Sequence, residues 1–225
     1  MSFRLAIPIF LLFFNGARAS AAENPLTLYG DEIRFDIQRA GQVIGSHAVT
    51  FRPTQDGIEA RSEVRIAVDF FIFPAFRYRY DSHGYWQDGR LRGLAVDVND
   101  NGRRDRLRLQ SHSDGLTGEH NGVPISVQEF VHPTEHWDVS VINQSRVLNT
   151  ITGKINNVTI TRVGEEEVPT ERGPVRAAHF RYSGDLDAEV WYDAEGRWVK
   201  LRFKGRDGSM IEYTCRRCQG PQAAV

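Results

Sequence analysis

From Ile58 to Ile72, every second residue is apolar or small: Ile58, Ala60, Ser62, Val64, Ile66, Val68, Phe70 and Ile72. Between them stand Glu59, Arg61, Glu63, Arg65, Ala67 and Asp69. Successive side chains of a strand point to opposite faces, so this run reads as one long strand with a greasy side and a wet side. A second run repeats the scheme after Pro74, with Phe76, Tyr78 and Tyr80 alternating with Arg77, Arg79 and Asp81. Ile33, Phe35 and Ile37 share one side of an earlier strand, and Ala40 and Gly41 turn it into the run that follows. Val158 and Ile160, then Val199, Leu201 and Phe203, continue the period in the second half. The expected fold is mostly β: a single curved antiparallel sheet, a half-barrel or open barrel.

One stretch breaks the rhythm. His132 to Lys154 carries Trp137, Val141, Ile142 and Leu148 at near-helical spacing, with Thr134 or Asp138 placed to cap a helix start. One or two short helices lying across the concave side are expected there.

The stretch Asp97–Asp105, DVNDNGRRD, sets oxygen-bearing residues at alternate positions before Gly102, as calcium loops do. Its flanks are strand-like, with Leu94, Val96 and Val98 before it and Leu107 and Leu109 after it. Arg108 stands where a bidentate glutamate is needed, and Arg103 and Arg104 would repel a divalent ion. Asn-Gly between alternating runs is a hairpin signal, so the stretch is expected to turn the chain.

Leu5 to Phe14 is an unbroken apolar run behind Arg4, too short to span a bilayer, and small residues follow it. Residues 1–21 are expected to be a signal peptide cleaved before Ala22, with Ala17 and Ala19 framing the second choice. Residues 22–225 are then expected to form a single antiparallel β domain in a bacterial periplasm. No cysteine lies near the junction, so a lipoprotein is not expected, nor is a membrane-spanning segment in the mature chain. Basic and acidic residues number 28 and 29, so no global field recruits nucleic acid or an anionic membrane.

Cys215 and Cys218 are the chain's two cysteines. In an oxidising compartment a local disulfide is the expected state, ahead of a metal or redox role. His132 and His136 flank Glu135, but Pro133 disfavours the helix that would aim both imidazoles at one metal. Metal and cofactor are not expected. Asp185, Asp187 and Glu189 alternate on a wet face, where carboxylates solvate more often than they catalyse. Three basic stripes, Arg104/Arg106/Arg108, Lys200/Arg202/Lys204 and Arg77/Arg79, are expected to pair with carboxylates such as Glu59, Glu63 and Asp69 in cross-strand ladders. Their alternative use is docking an acidic partner.

The apolar face is rich in aromatics. Phe70, Phe76, Tyr78, Tyr80, Trp86, Trp137, Trp191 and Trp198 are the candidate lining of a cavity beneath the crossing segment.

The segments YRY…W.DG.L, LNTITG and VWYDAEGRWVKLRF resemble a family of exported bacterial proteins defined as a domain of unknown function. More distantly, leader, long strands and terminal meander are similar to the LolA/LolB periplasmic lipoprotein carriers, curved sheets plugged by helices. That resemblance implies an apolar-ligand cavity with His132–Lys154 as the plug; without a lipobox, a membrane-anchored receptor role does not transfer. The expected function is binding or carrying a lipid-like ligand rather than catalysis. The alternative is an envelope adaptor or assembly protein, and a hydrolase comes third. An elongated aromatic-lined cavity favours the carrier, a water-sized interior the adaptor, and His136 buried beside a carboxylate in a cleft the enzyme.

Overall fold

The computed structural model describes residues 24–221 except 71 and 72. The expected leader therefore lies outside the described residues, as do the side chains of 70, 73 and 74. A single helical turn, α1 (Pro25–Leu28), precedes the first strand, capped by the Asn24 side chain. The first eight strands are β1 (Glu32–Arg39), β2 (Gln42–Pro53), β3 (Ile58–Phe70), β4 (Phe73–Gln87), β5 (Arg90–Asp100), β6 (Arg103–His112), β7 (Gly115–His120) and β8 (Val123–Val127). After the crossing segment, which holds β9 (His132–Pro133) and β10 (Arg146–Leu148), come β11 (Ile155–Thr170), β12 (Gly173–Gly184), β13 (Ala188–Asp193), β14 (Trp198–Lys204) and β15 (Met210–Arg217).

All fifteen belong to one sheet, in the order β8-β7-β6-β5-β4-β3-β2-β1-β15-β14-β13-β12-β11-β10-β9. The sheet is unclosed: β8 and β9 are its two edges, and β9–β10 is its parallel pair. The turns explain the meander. Ala40–Gly41, Asp88–Gly89, Asn101–Gly102 and Asn121–Gly122 all adopt positive φ at both positions, the geometry that matches the strands' twist in two-residue hairpins. DVNDNGRRD is thus a hairpin: Gly102 N donates to Asn99 Oδ1 at 2.8 Å, and Arg108 reaches Asp97 at 2.7 Å.

The sheet rolls up on itself. Four strands separate β5 from β15 in the order, yet Arg206, in the β14–β15 turn, reaches Asp100 at the end of β5 at 2.6 Å. On the other side, Glu171 beyond β11 accepts from the amides of Cys218 and Gln219 at 3.1 and 3.0 Å. Cys215 and Cys218 form a disulfide at this point.

The crossing segment occupies the concave side, and the short helix expected there is of the 3-10 kind. Its helical content is one 3-10 turn, Val139–Asn143, capped by Asp138. Pro133 and the β-branched Val139, Val141, Ile142, Thr150 and Ile151 all oppose α-helix, so the segment folds as short strands and turns. Tertiary bonds hold it. The Tyr29 hydroxyl donates to Trp137 O at 3.0 Å and accepts from Trp198 N at 2.8 Å. Thr134 N donates to Leu148 O at 3.0 Å, and His132 Nε2 lies 3.0 Å from Asp138 Oδ2. Trp137 packs edge-on against Phe51 and Trp86, with centroids 5.3 and 5.0 Å apart.

Candidate functional site

The plug stops short of filling the bowl. Between it and the open end lies a cavity of about 620 Å³, within the range of small-molecule sites. Register orders its walls into levels. Ser62 pairs with Val49, Val64 with His47 and Tyr80, Ile66 with Gly45 and Tyr78, and Val68 with Phe76. Across the bowl, Leu201 pairs with Tyr213 and Phe203 with Ile211. From Ser62 to Val68 the β3 wall runs roughly 20 Å along the strand at about 3.3 Å per residue.

At the rim sit Arg39, Asp100, Arg206 and Asp207. Arg206 bonds Asp100 at 2.6 Å, and Arg39 bonds Asp207 at 3.1 Å. The first pair is asymmetric: the Arg206 side chain is 80% exposed and that of Asp100 only 6%. Below the rim, Ile44, Ile66, Val68, Phe76, Phe203 and Ile211 form an apolar collar. Tyr78 stands among them; burial, with Asp100 nearby, pushes its hydroxyl up to about 12.

The floor is polar. His47 Nε2 lies 2.6 Å from Ser62 Oγ, and the Tyr80 hydroxyl donates to Thr150 Oγ1 at 2.9 Å. Trp137 Nε1 donates to Glu135 Oε2 at 2.9 Å. The His136 ring packs against Tyr182 and Trp198 at 5.7 and 5.6 Å. Both imidazoles face the cavity rather than bulk water. Burial, then the neighbouring His136, pushes His47 down to about 3; burial, then His132, pushes His136 down to about 4. Burial likewise raises the Glu135 carboxyl above its ordinary value. Burial would raise Asp138 too, but hydrogen bonds from His132 and Ser140 hold it below the usual range.

Of the aromatics picked from the sequence, Phe76, Tyr78, Tyr80, Trp137 and Trp198 face this cavity. The Phe70 side chain lies outside the described residues. Two expectations are corrected. Trp86 is on the right face of β4, but it pairs with Ile58, beyond the floor, and Trp137 covers it. Trp191 neighbours Val190, whose partner Leu201 lines the cavity, so alternation turns Trp191 to the opposite face. There His179 stacks on it at 4.1 Å and Lys200 Nζ lies 4.7 Å from its ring. His47, Ser62, Glu135, His136 and Thr150 also line the cavity, though no local pattern in the sequence marks them as a group. Ser62, the one hydroxyl in the apolar register of β3, was the signal available.

His136 is buried in the cleft, yet the carboxylates nearby bond elsewhere, Glu135 to Trp137 and Asp138 to His132. The His47–Ser62 pair lacks an orienting group, since His47 Nδ1 is buried without a partner; an activated serine needs its base held by a third residue. Asp185 and Asp187 are exposed, and Asp185 accepts from Asn157 N at 2.8 Å. Glu189 is gripped by Arg202, Arg181 and His179. The basic stripes form ladders in part: Arg106 and Arg108 share Asp97, Arg77 takes Asp69, Arg202 takes Glu189 and Lys200 faces Glu212. Glu171, Cys215 and Cys218 are the one close grouping of potential metal ligands among the described residues, and its sulfurs are bonded to each other rather than available as thiolates.

No helix among the described residues is long and apolar enough to cross a membrane. No curated protein matches the chain. Its fold is similar to that of a solved β-barrel-like protein of domain of unknown function DUF1849 from Brucella abortus. That likeness covers 87% of this chain and 99% of that one, with a TM-score of 0.63 and 10% identity, and it concerns the fold alone. The family described as Domain of unknown function (DUF6134) matches residues 35–216, nearly the whole sheet, and the chain belongs to that family.

Proposed function

We propose that the chain is an exported periplasmic binding or carrier protein for a lipid-like, apolar ligand. The observation that carries this reading is the cavity: about 620 Å³, open at one end, apolar along its collar and floored by the plug residue Trp137. A bowl of this volume is far larger than a water site, and hydrocarbon walls of this kind favour hydrocarbon over water. Export rests on the apolar run Leu5–Phe14 and on the Cys215–Cys218 bond, which persists in oxidising compartments.

Native mass spectrometry of protein gently isolated from an envelope fraction tests the reading. A mass increment that disappears on organic extraction, and whose released material is apolar, is the expected result. Ligand-free spectra in repeated preparations would overturn it.

A further inference from the structure

The arginines that line the cavity, Arg39 and Arg206, both sit at its rim, and both are held by aspartates. The floor, by contrast, is built from His47, Ser62, Tyr80, Glu135, His136 and Thr150, with no lysine or arginine among its described lining residues. Those groups lie at the deep end of the cavity, His47 and Tyr80 about 13 Å and Ser62 about 20 Å along the strand direction from the Val68 level. Two of them hold unspent capacity: Nδ1 of His47 and Nδ1 of His136 are buried without a hydrogen-bond partner among the described residues. A binding site for a purely apolar chain has no use for such a floor, because buried polar atoms are costly where nothing bonds them.

The polarity of the floor also selects a head group. A carboxylate or phosphate placed there would be a buried anion without a cation, beside the Glu135 carboxyl. An ammonium would face imidazoles that burial keeps neutral, and the Glu135 carboxyl beside them already accepts from Trp137 Nε1. Hydroxyls and neutral imidazoles with an unpartnered nitrogen solvate a hydroxyl, an ester or an amide.

Building on the carrier reading, we infer that the ligand is an uncharged amphiphile, bound with its polar group on the floor and its hydrocarbon chain running up the collar to the rim. The rim ion pairs then close over the end of the tail and do not read a head group.

Displacement of the uncharged dye Nile red from the purified protein tests this at neutral pH, with decanol, methyl decanoate, decanoate and decylammonium as competitors. Decanol and methyl decanoate are expected to displace the dye at concentrations at least tenfold below those of the two ions. Equal potency of decanoate or decylammonium would place the head group in water at the rim and overturn the inference, while leaving the carrier reading standing. Failure of the dye and of all four amphiphiles to bind removes the carrier reading itself. The variants His136→Leu and Thr150→Val test the floor separately. Each is expected to weaken decanol at least threefold more than it weakens Nile red, and equal or no weakening of decanol in both would also overturn the inference.

Discussion

Replacing His136 with leucine isolates an acid sensitivity written into the plug. The ring is buried against Tyr182 and Trp198, and burial, aided by His132, lowers its pKa from 6.5 to about 4. In the folded protein it is therefore neutral at pH values where the unfolded chain has already taken up a proton. Because the folded value is the lower one, the ring's contribution to stability is fully present above about pH 6.5 and is lost as pH falls toward the folded value. Near pH 5 the unfolded imidazole is almost wholly protonated and the folded one is not. The difference is about 2 kcal/mol, and it depends little on the folded value as long as that lies below about 5. His47, with a still lower folded value, adds about as much, so the two rings together cost about 4 kcal/mol between neutrality and pH 5. Glu135 acts with the opposite sign: its raised folded value means that it gains stability on acidification. A wild-type curve alone therefore mixes the two effects. The informative quantity is the difference between wild type and His136→Leu in urea unfolding, measured from about pH 8 to about pH 5. The variant is expected to be equal to wild type or more stable at the alkaline end, since it removes a buried unpartnered nitrogen, and to gain about 2 kcal/mol on wild type by the acid end. A difference that stays flat across this range would show that the ring titrates normally in the fold and that the floor is open to water.

Three further perturbations address the plug, the terminus and the rim. Gly153 has φ +70° and its missing Cβ would stand 2.4 Å from Ile125 Cδ1 and 2.9 Å from Leu107 Cδ1, so Gly153→Ala is expected to destabilise by about 1–3 kcal/mol, read as a lowered Tm. Replacing both cysteines with alanine removes a bridge that closes a very short loop, so the loss is expected to be about 2 kcal/mol by urea unfolding, and reductant should reproduce it in the wild type. Arg206→Ala opens the ion pair that spans the rim; because Arg206 is largely exposed, stability is expected to change by no more than about 1 kcal/mol. Its effect should appear instead as faster release of bound Nile red in stopped-flow, and an unchanged release rate would show that the pair does not guard the mouth.

The strands and turns were legible because their signals are local. Alternation from Ile58 onward names the wet and greasy faces of β3 without knowledge of its neighbours, and Asn101–Gly102 names its turn by the positive φ those residues tolerate. Where a signal needs a partner to be interpreted, the reading failed. In AEVWYD three large apolar residues are consecutive, so period two cannot say which face Trp191 takes; the pairing of Val190 with Leu201 decides it. Trp86 has the right face but the wrong depth, which only register reveals. The near-helical spacing of Trp137, Val141, Ile142 and Leu148 does not mark one helical stripe: adjacent residues face different walls, Trp137 packing on β2 and β4 and His136 on β14. The polar floor was hidden for the same reason, since its members come from β2, β3, β4 and the plug and converge only after the sheet has rolled.

That convergence bears on why the bowl is hollow at all. A sheet of these strands had an easy way to fill itself: larger apolar residues at the levels of Ser62 and His47 would extend the hydrocarbon packing seen at Phe35, Trp198 and Tyr213, where ring centroids lie 4.2 to 6.3 Å apart. Instead the plug is pinned by Tyr29, bonded to Trp137 O and Trp198 N, and knit internally by Thr134 N to Leu148 O, so it ends where those bonds end and not where space runs out. The collar above is wide and the floor holds imidazoles that burial strips of charge. Both features lower the stability of the empty protein relative to a solid one. Sites of this kind, where local choices oppose tight packing while the surrounding fold remains consistent, are where binding function resides in folded chains. On that argument the hollow and its floor are one feature: the same side chains that keep the bowl from packing solid supply the groups that a buried, uncharged head group needs.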